Sequence, residues 1–385
     1  MHVPFNDLDA AYRELEQPID AAAKRVLGSG RFILGAEVER FERRFAHHVE
    51  AKHCVGVGSG LDALVLALAA LGVDRDDEVI VPAATAFPTW LAVSRLGAKP
   101  VPAPVDGATF TLDPVALVAA ITDRTRAIVP VHLYGHPADL DAIAGIARDH
   151  GLPVVDDAAQ AHGARCRGRP IGALTSASAF SFYPTKNLGA VGDGGAVTTD
   201  DDSTADRVRM LRNYGEREKN RNECLGWNSR LDPIQAAILR VKLDKLDEWN
   251  RRRRRVAARY RKGLSGLSWL RLPTEATWAT HVYHLFVVRV RCRDELMEHL
   301  AANSIATAIH YPVPPYDQPA YRDLPLPQAV GDIDAVHREL LSLPIGPHLS
   351  DAQVDHVIGA VSSFSGRQRS TSRRATPPAS CSAGF

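Results

Sequence analysis

SAFSFYPTKNLGAVGDGGAVTT, residues 178–199, sets one lysine between an apolar strand and a glycine-rich turn. Residues 177–182 are short, apolar and β-prone, and Tyr183-Pro184 stops them because proline has no N–H to give a sheet. Lys186 is therefore expected at a strand end. Residues 187–195 hold too many glycines for a helix and lead into a second strand at 196–198. The chain has eight lysines. Lys24, Lys52, Lys99, Lys242, Lys245 and Lys262 read as solvated charges on polar helix faces or ahead of strands. Lys186 alone is flanked by glycine and small residues, where a bulky cofactor can approach backbone, and an amine held in such a pocket suits a Schiff base.

At 385 residues the chain has room for two or three domains and a large core. A net charge of +1 exerts no global pull on nucleic acid or membrane, so any anionic ligand must be met locally. The N-terminus lacks an apolar signal core and no stretch is long enough to span a bilayer, which predicts a cytoplasmic protein. Five widely separated cysteines form no C-x-x-C pair. They read as reduced thiols rather than a disulfide framework or a zinc site.

Residues 7–27 show helical spacing of Leu8, Tyr12, Leu15, Ile19 and Val26, interrupted at Pro18, and a second helix is expected over 36–49. Residues 53–68 run from a strand through Gly56, Gly58 and Gly60 into a buried helix. Such a loop offers free amides and a positive dipole end to a phosphate. It lacks the G-x-G-x-x-G spacing and the acid after the next strand that a dinucleotide fold wants. Alternating β and α segments from 78 to 155 imply a largely parallel sheet covered by helices, with ligands beyond the carboxyl ends of its strands. Asp156 and Asp157 stand at one such end. Either can partner a protonated pyridine nitrogen or cap the next turn, and His132, His136 and His162 lack the spacing of a metal site.

Residues 212–222 read as a long polar, basic loop, the kind that is functional or disordered. Arg251–Arg255 spread around a helix and read as a solvated linker rather than a nucleic-acid patch. The expected division is a large domain over 1–248, a smaller C-terminal α/β domain over 249–364, and a disordered tail over 365–385.

A phosphate loop, a strand-end acid and a strand-end lysine together answer the phosphate, the pyridine nitrogen and the aldehyde of pyridoxal phosphate. The chain also resembles the DegT/StrS-type sugar-nucleotide aminotransferases, which are fold-type I pyridoxal-phosphate enzymes. The likeness is carried by SGRFILGAEVERFE (29–42), GVGSGLDALVLAL (56–68), VPVHLYGHPADLD (129–141), VVDDAAQAHGA (154–164), SFYPTKNLGAVGDGGAV (181–197), LRNYG (211–215) and NSRLDPIQAA (228–237). It implies an α/β fold whose large domain holds a mostly parallel, seven-stranded-type sheet between helices. It also implies that Lys186 bonds the cofactor and shuttles a proton, and that Asp157, not Asp156, holds the pyridine nitrogen. Ser59, Gly60, Leu61, Ser181 and, from a partner subunit of a homodimer, Asn228 would receive the phosphate. Gln160 would sit by the ring hydroxyl.

The resemblance is nearest to enzymes that aminate carbon 3 of a nucleotide-linked 3-keto-6-deoxyhexose with glutamate as donor. Tyr183, Lys219, Arg230, His310 and Tyr311 then fall on the substrate side, the cations suiting a pyrophosphate. A carbon-4 aminotransferase and a non-catalytic regulator that keeps the fold are the alternatives. The sequence departs from the family at two places. Ala86 then Phe87 stand where an aromatic usually stacks on the cofactor ring, and Lys219-Asn220-Arg221-Asn222 replaces a K-Y-x-H pattern.

Overall fold

The computed structural model describes residues 1–323 and 333–365. Its central sheet is built from β1 (His53–Val57), β2 (Glu78–Pro82), β3 (Lys99–Ala103), β4 (Thr125–Ile128), β5 (Val155–Asp157), β6 (Ala177–Ser181) and β7 (Gly195–Thr199). The pairings give a three-stranded order β3-β2-β4 and a four-stranded order β1-β7-β6-β5. Parallel bridges Ile128↔Val154 and Val131↔Asp157 join them into one mostly parallel sheet. β7 opposes both β1 and β6. β1 and β6 therefore run the same way, and β5 runs parallel to β6. Their carboxyl ends share one edge, where ligands of such sheets bind.

Both faces of the sheet are covered. The helix Gly60–Ala70 is apolar nearly all round, with residues from Ala63 to Leu68 all buried, as a helix packed inside a core must be. Phe41, Phe45, Phe180 and Phe182 pack on the other side, with the Phe45 and Phe180 rings edge-on at 4.9 Å. Burying each such ring contributes about 1.5–3 kcal/mol. A further cluster joins Val256 and Tyr260 of the long helix Leu246–Leu264 to Phe286, Leu341 and Val357. There Phe286–Arg289 pairs antiparallel with Leu340–Leu343. Val3 is buried in the same cluster and bridges to Ile305.

Several expectations are corrected. The first helical stretch breaks at Leu15, not Pro18, into Leu8–Glu14 and Glu16–Ser29. Pro18 falls in the first turn of the second piece, where a helix has no use for its N–H. The basic loop contains a hairpin, Glu216–Glu218 with Arg221–Asn222. Asn220 takes a positive φ of 65° at its turn, a conformation asparagine tolerates better than most residues. Lys242 is not a solvated charge but 8% exposed, and Arg253 of the arginine run is 6% exposed. Arg212 is also buried, donating to Glu42 Oε1 at 2.5 Å and Gly56 O at 2.7 Å. The tail expected to be disordered over 365–385 lies, except for Ser365, outside the described residues. Among the described residues no helix is long and apolar enough to cross a membrane, and no group of three or more His, Cys, Asp or Glu is placed to hold a metal.

Candidate active site

The glycine loop after β1 ends in Ser59, whose Oγ caps the helix Gly60–Ala70 by accepting from Asp62 N at 3.1 Å. The amides of Gly60 and Leu61 lie in the first turn, where the helix has no acceptors of its own. Gly60 lies hard against β6: a Cβ there would stand 2.4 Å from the Ser181 Cβ. Ser59, Gly60, Leu61 and Ser181 thus form one cradle of amides and hydroxyls at a positive helix end, suited to a phosphate dianion.

The two acids at the end of β5 part company. Asp156 is fully buried and accepts from Ser178 Oγ at 2.7 Å, from Thr175 Oγ1, and faces His132 Nε2 at 3.0 Å. The His132 Nδ1 accepts from Ala138 N, so its proton sits on Nε2 and is given to Asp156. Asp157 turns the other way. It accepts from Thr89 Oγ1 at 2.8 Å and from Ala159 N at 3.1 Å. Burial pushes its carboxyl above the usual range, while Thr89, Ala159 and Lys186 pull back.

Lys186 lies in the turn after β6, its N–H donated to Tyr183 O at 2.9 Å. Burial lowers its amine to about 8, against the opposing charge of Asp157. A substantial neutral fraction near pH 8 is what a nucleophilic amine needs. The glycines beyond it serve the chain's own packing rather than an approaching cofactor. A Cβ at Gly189 would lie 2.2 Å from Pro184 O, and one at Gly195 2.3 Å from Ser59 O.

Gln160, Tyr311 and His310 come to the same place from distant sequence. Gln160 Oε1 accepts from Tyr134 N at 2.6 Å, and its Nε2 donates to Tyr311 Oη at 3.0 Å. Tyr134 is held at φ 60° and gives its hydroxyl proton to His310 O. Burial pushes the Tyr311 phenol up to about 12, with Gln160 opposing and Asp157 adding. His310 is lowered to about 4 by burial and by the charge of Lys186.

Of the remaining residues, Tyr183, Lys219 and Asn228 face outward on the single chain, while Arg230 and Phe87 are half-buried. Tyr183 is 53% exposed, and Asn228 and Lys219 are exposed. Arg230 donates to Asn213 Oδ1 at 2.8 Å and lies 5.2 Å over the Tyr214 ring. Phe87 opens the helix Phe87–Arg95 with its ring 5.6 Å from Tyr321, and Ala86 is the residue before that helix. Sequence reasoning missed Thr89, one turn into this helix, and Tyr134. It also missed a buried network behind Lys186. There Asn187 Nδ2 donates to Asn250 Oδ1 at 2.9 Å and to Val282 O, Asn187 Oδ1 faces His284 Nδ1 at 3.2 Å, and Asn250 Nδ2 donates to His162 O.

A neutralisable amine across from a buried acid, with an open helix end on the same sheet edge, fits pyridoxal phosphate and places the chain among the enzymes that use it. It belongs to the DegT/DnrJ/EryC1/StrS aminotransferase family, which it matches over residues 13–362. It is 55% identical, over 94% of this chain and 99% of the relative, to the "Erythromycin biosynthesis sensory transduction protein EryC1" of Saccharopolyspora erythraea. It is also 55% identical, over 95% and 97%, to the "dTDP-3-amino-3,4,6-trideoxy-alpha-D-glucose transaminase" of Streptomyces venezuelae. Among solved structures, S. venezuelae DesV in complex with a ketimine intermediate superposes with a TM-score of 0.92, covering 94% of this chain and 97% of that one.

Proposed function

We propose that the protein transfers an amino group from glutamate to carbon 3 of a nucleotide-linked, thymidine-diphospho-type 3-keto-6-deoxyhexose, in deoxyaminosugar assembly. The observation that carries this reading is the 55% identity to the S. venezuelae transaminase over nearly both chains, with Lys186 and Asp157 facing each other. When bound, pyridoxal phosphate supplies the electron sink for moving the amine. Asp157 holds a proton on the pyridine nitrogen, braced by Thr89. Lys186 Nζ takes and returns the proton that moves in transamination. Ser59, Gly60, Leu61 and Ser181 bind the phosphate, and Gln160, fixed by Tyr134, orients toward the ring hydroxyl.

The active unit is a cytoplasmic homodimer, with Asn228 completing the phosphate site of the partner subunit; its exposure on the single chain supports this. The chain divides into units at 1–248 and 249–364. Lys219 and Arg230 receive the pyrophosphate, while Tyr183, His310 and Tyr311 surround the sugar. The Lys219–Asn222 segment has a structural reason for its asparagines: Asn220 makes the hairpin turn, and Asn222 Nδ2 closes it on Tyr214 O at 2.9 Å. A regulator reading has the name of the S. erythraea relative, a sensory transduction protein, in its favour.

The test incubates the protein with glutamate and, separately, the 3-keto and 4-keto sugar nucleotides, and locates the new amine by NMR. Amine at carbon 3 is expected. Amine at carbon 4 alone would overturn the regiochemistry, since displacement of about an ångström costs roughly a hundredfold in rate. No turnover of any keto-sugar by protein that takes up no cofactor would favour the regulator.

A further inference from the structure

Behind the turn that carries Lys186 lies a cleft bounded by the N-terminal segment, the start of the long helix and residues 346–349. Among the described residues its lining includes none of Ser59, Gly60, Asp157 or Ser181, so it lies away from the phosphate cradle and meets the candidate active site only at the turn that carries Lys186. It does include Lys242 and Arg253, both more than nine-tenths buried. Lys242 Nζ has three protons and gives one to Gly189 O at 2.7 Å. Arg253 reaches three backbone carbonyls, of Tyr283, His284 and Ile345, all through Nη1 and at 3.2–3.4 Å. Its Nε is buried with no partner among the described residues.

Buried cations are normally paired with an acid, and carbonyl dipoles solvate a charge without neutralising it. Here no carboxylate among the described residues touches either cation. The one acid lining the cleft, Asp7, is exposed and caps Ala10 N at 2.9 Å. Lys186 and His348 also line it, and His348 is engaged with Glu14 at 2.7 Å. The cations among the cleft-lining groups therefore outnumber the acids, and Lys242 keeps donors beyond the one given to Gly189. The cavity is about 60 Å³, against the order of 10–15 Å³ that one water needs on the same measure. That is room for a compact ion and too little for a nucleotide sugar.

We propose that this cleft binds one compact monovalent anion, a halide or a small carboxylate, between Lys242 and Arg253. The bound anion neutralises the two cations and braces the Gly189 carbonyl, and with it the turn that carries Lys186.

The test titrates the holoenzyme with bromide and with formate at constant ionic strength, gluconate being the bulky balancing anion, and follows the thermal midpoint. A saturable rise of roughly 2 °C at ten times the dissociation constant is expected for the anion that fits. A rise with bromide alone marks a halide site and one with formate alone a carboxylate site. Lys242→Met should abolish the rise. Were that variant not to fold, wild-type crystals soaked in bromide decide the matter, with an anomalous peak in contact with Lys242 and Arg253 as the expected result. No saturable rise with either anion, a rise undiminished in folded Lys242→Met, an empty cleft in the bromide soak, or bromide competing with glutamate as donor would overturn the site.

Discussion

Asp156 and Asp157 are adjacent on β5, both buried, and alternation along a strand sends them to opposite faces of the sheet. On one face Asp156 is saturated by Thr175, Ser178 and His132, all from the protein. On the other, Asp157 is bound by Thr89 and one backbone amide, and turned toward Lys186. The lesson is that burial alone does not mark a functional acid. A structural carboxylate has its lone pairs filled by its own fold, whereas a functional one keeps capacity for a group the chain does not contain.

The comparison breaks most readily by amide substitution at each position. Asp157→Asn should lower kcat by about 10²-fold or more, because the amide cannot hold a proton on the pyridine nitrogen. Asp156→Asn should leave kcat within a few-fold in the folded protein, but lower stability by about 1–3 kcal/mol through the lost charge-assisted bonds. Steady-state kinetics and urea melts on the same preparations check both. The opposite pattern would reassign the two faces.

That division was only half legible in the sequence. The β and α alternation is written in short apolar runs and glycine turns, so strands and helices fell close to expectation. Residues alone could not choose between Asp156 and Asp157, because the choice depends on Thr175 and Ser178 beyond one acid and Thr89 ahead of the other. Lys242 was misread for a related reason. The helix Pro233–Leu243 is covered on more than one side, so a polar position on its surface is not a solvated one. Tyr134, Gln160, His310 and Tyr311 meet across distant segments, and no local pattern encodes that meeting.

A smaller effect sharpens the contrast through pH. Burial holds His162 at about 3 and His281 and His284 well below the usual imidazole value, with the charge of Lys186 contributing for His162 and His284. Above about pH 6.5 these rings are neutral in both folded and unfolded chains. Below it the unfolded chain takes up protons that the folded one refuses, so stability falls as pH falls. The expected loss is about 1 kcal/mol per ring between roughly pH 6.5 and 5.5. Urea midpoints across that range should fall. Midpoints that stay level would contradict the buried, neutral state of these rings.

The central claim is that Lys186, and not another buried amine, bonds the cofactor. Lys242 makes the alternative concrete, since burial lowers its amine to about 8 as well, but with no acid among the causes. Borohydride reduction of the pyridoxal-phosphate-loaded protein followed by peptide mapping separates the two. The label should appear on Lys186 alone, and Lys186→Ala should carry none. Label on Lys242, or none on the wild-type protein, would contradict the account.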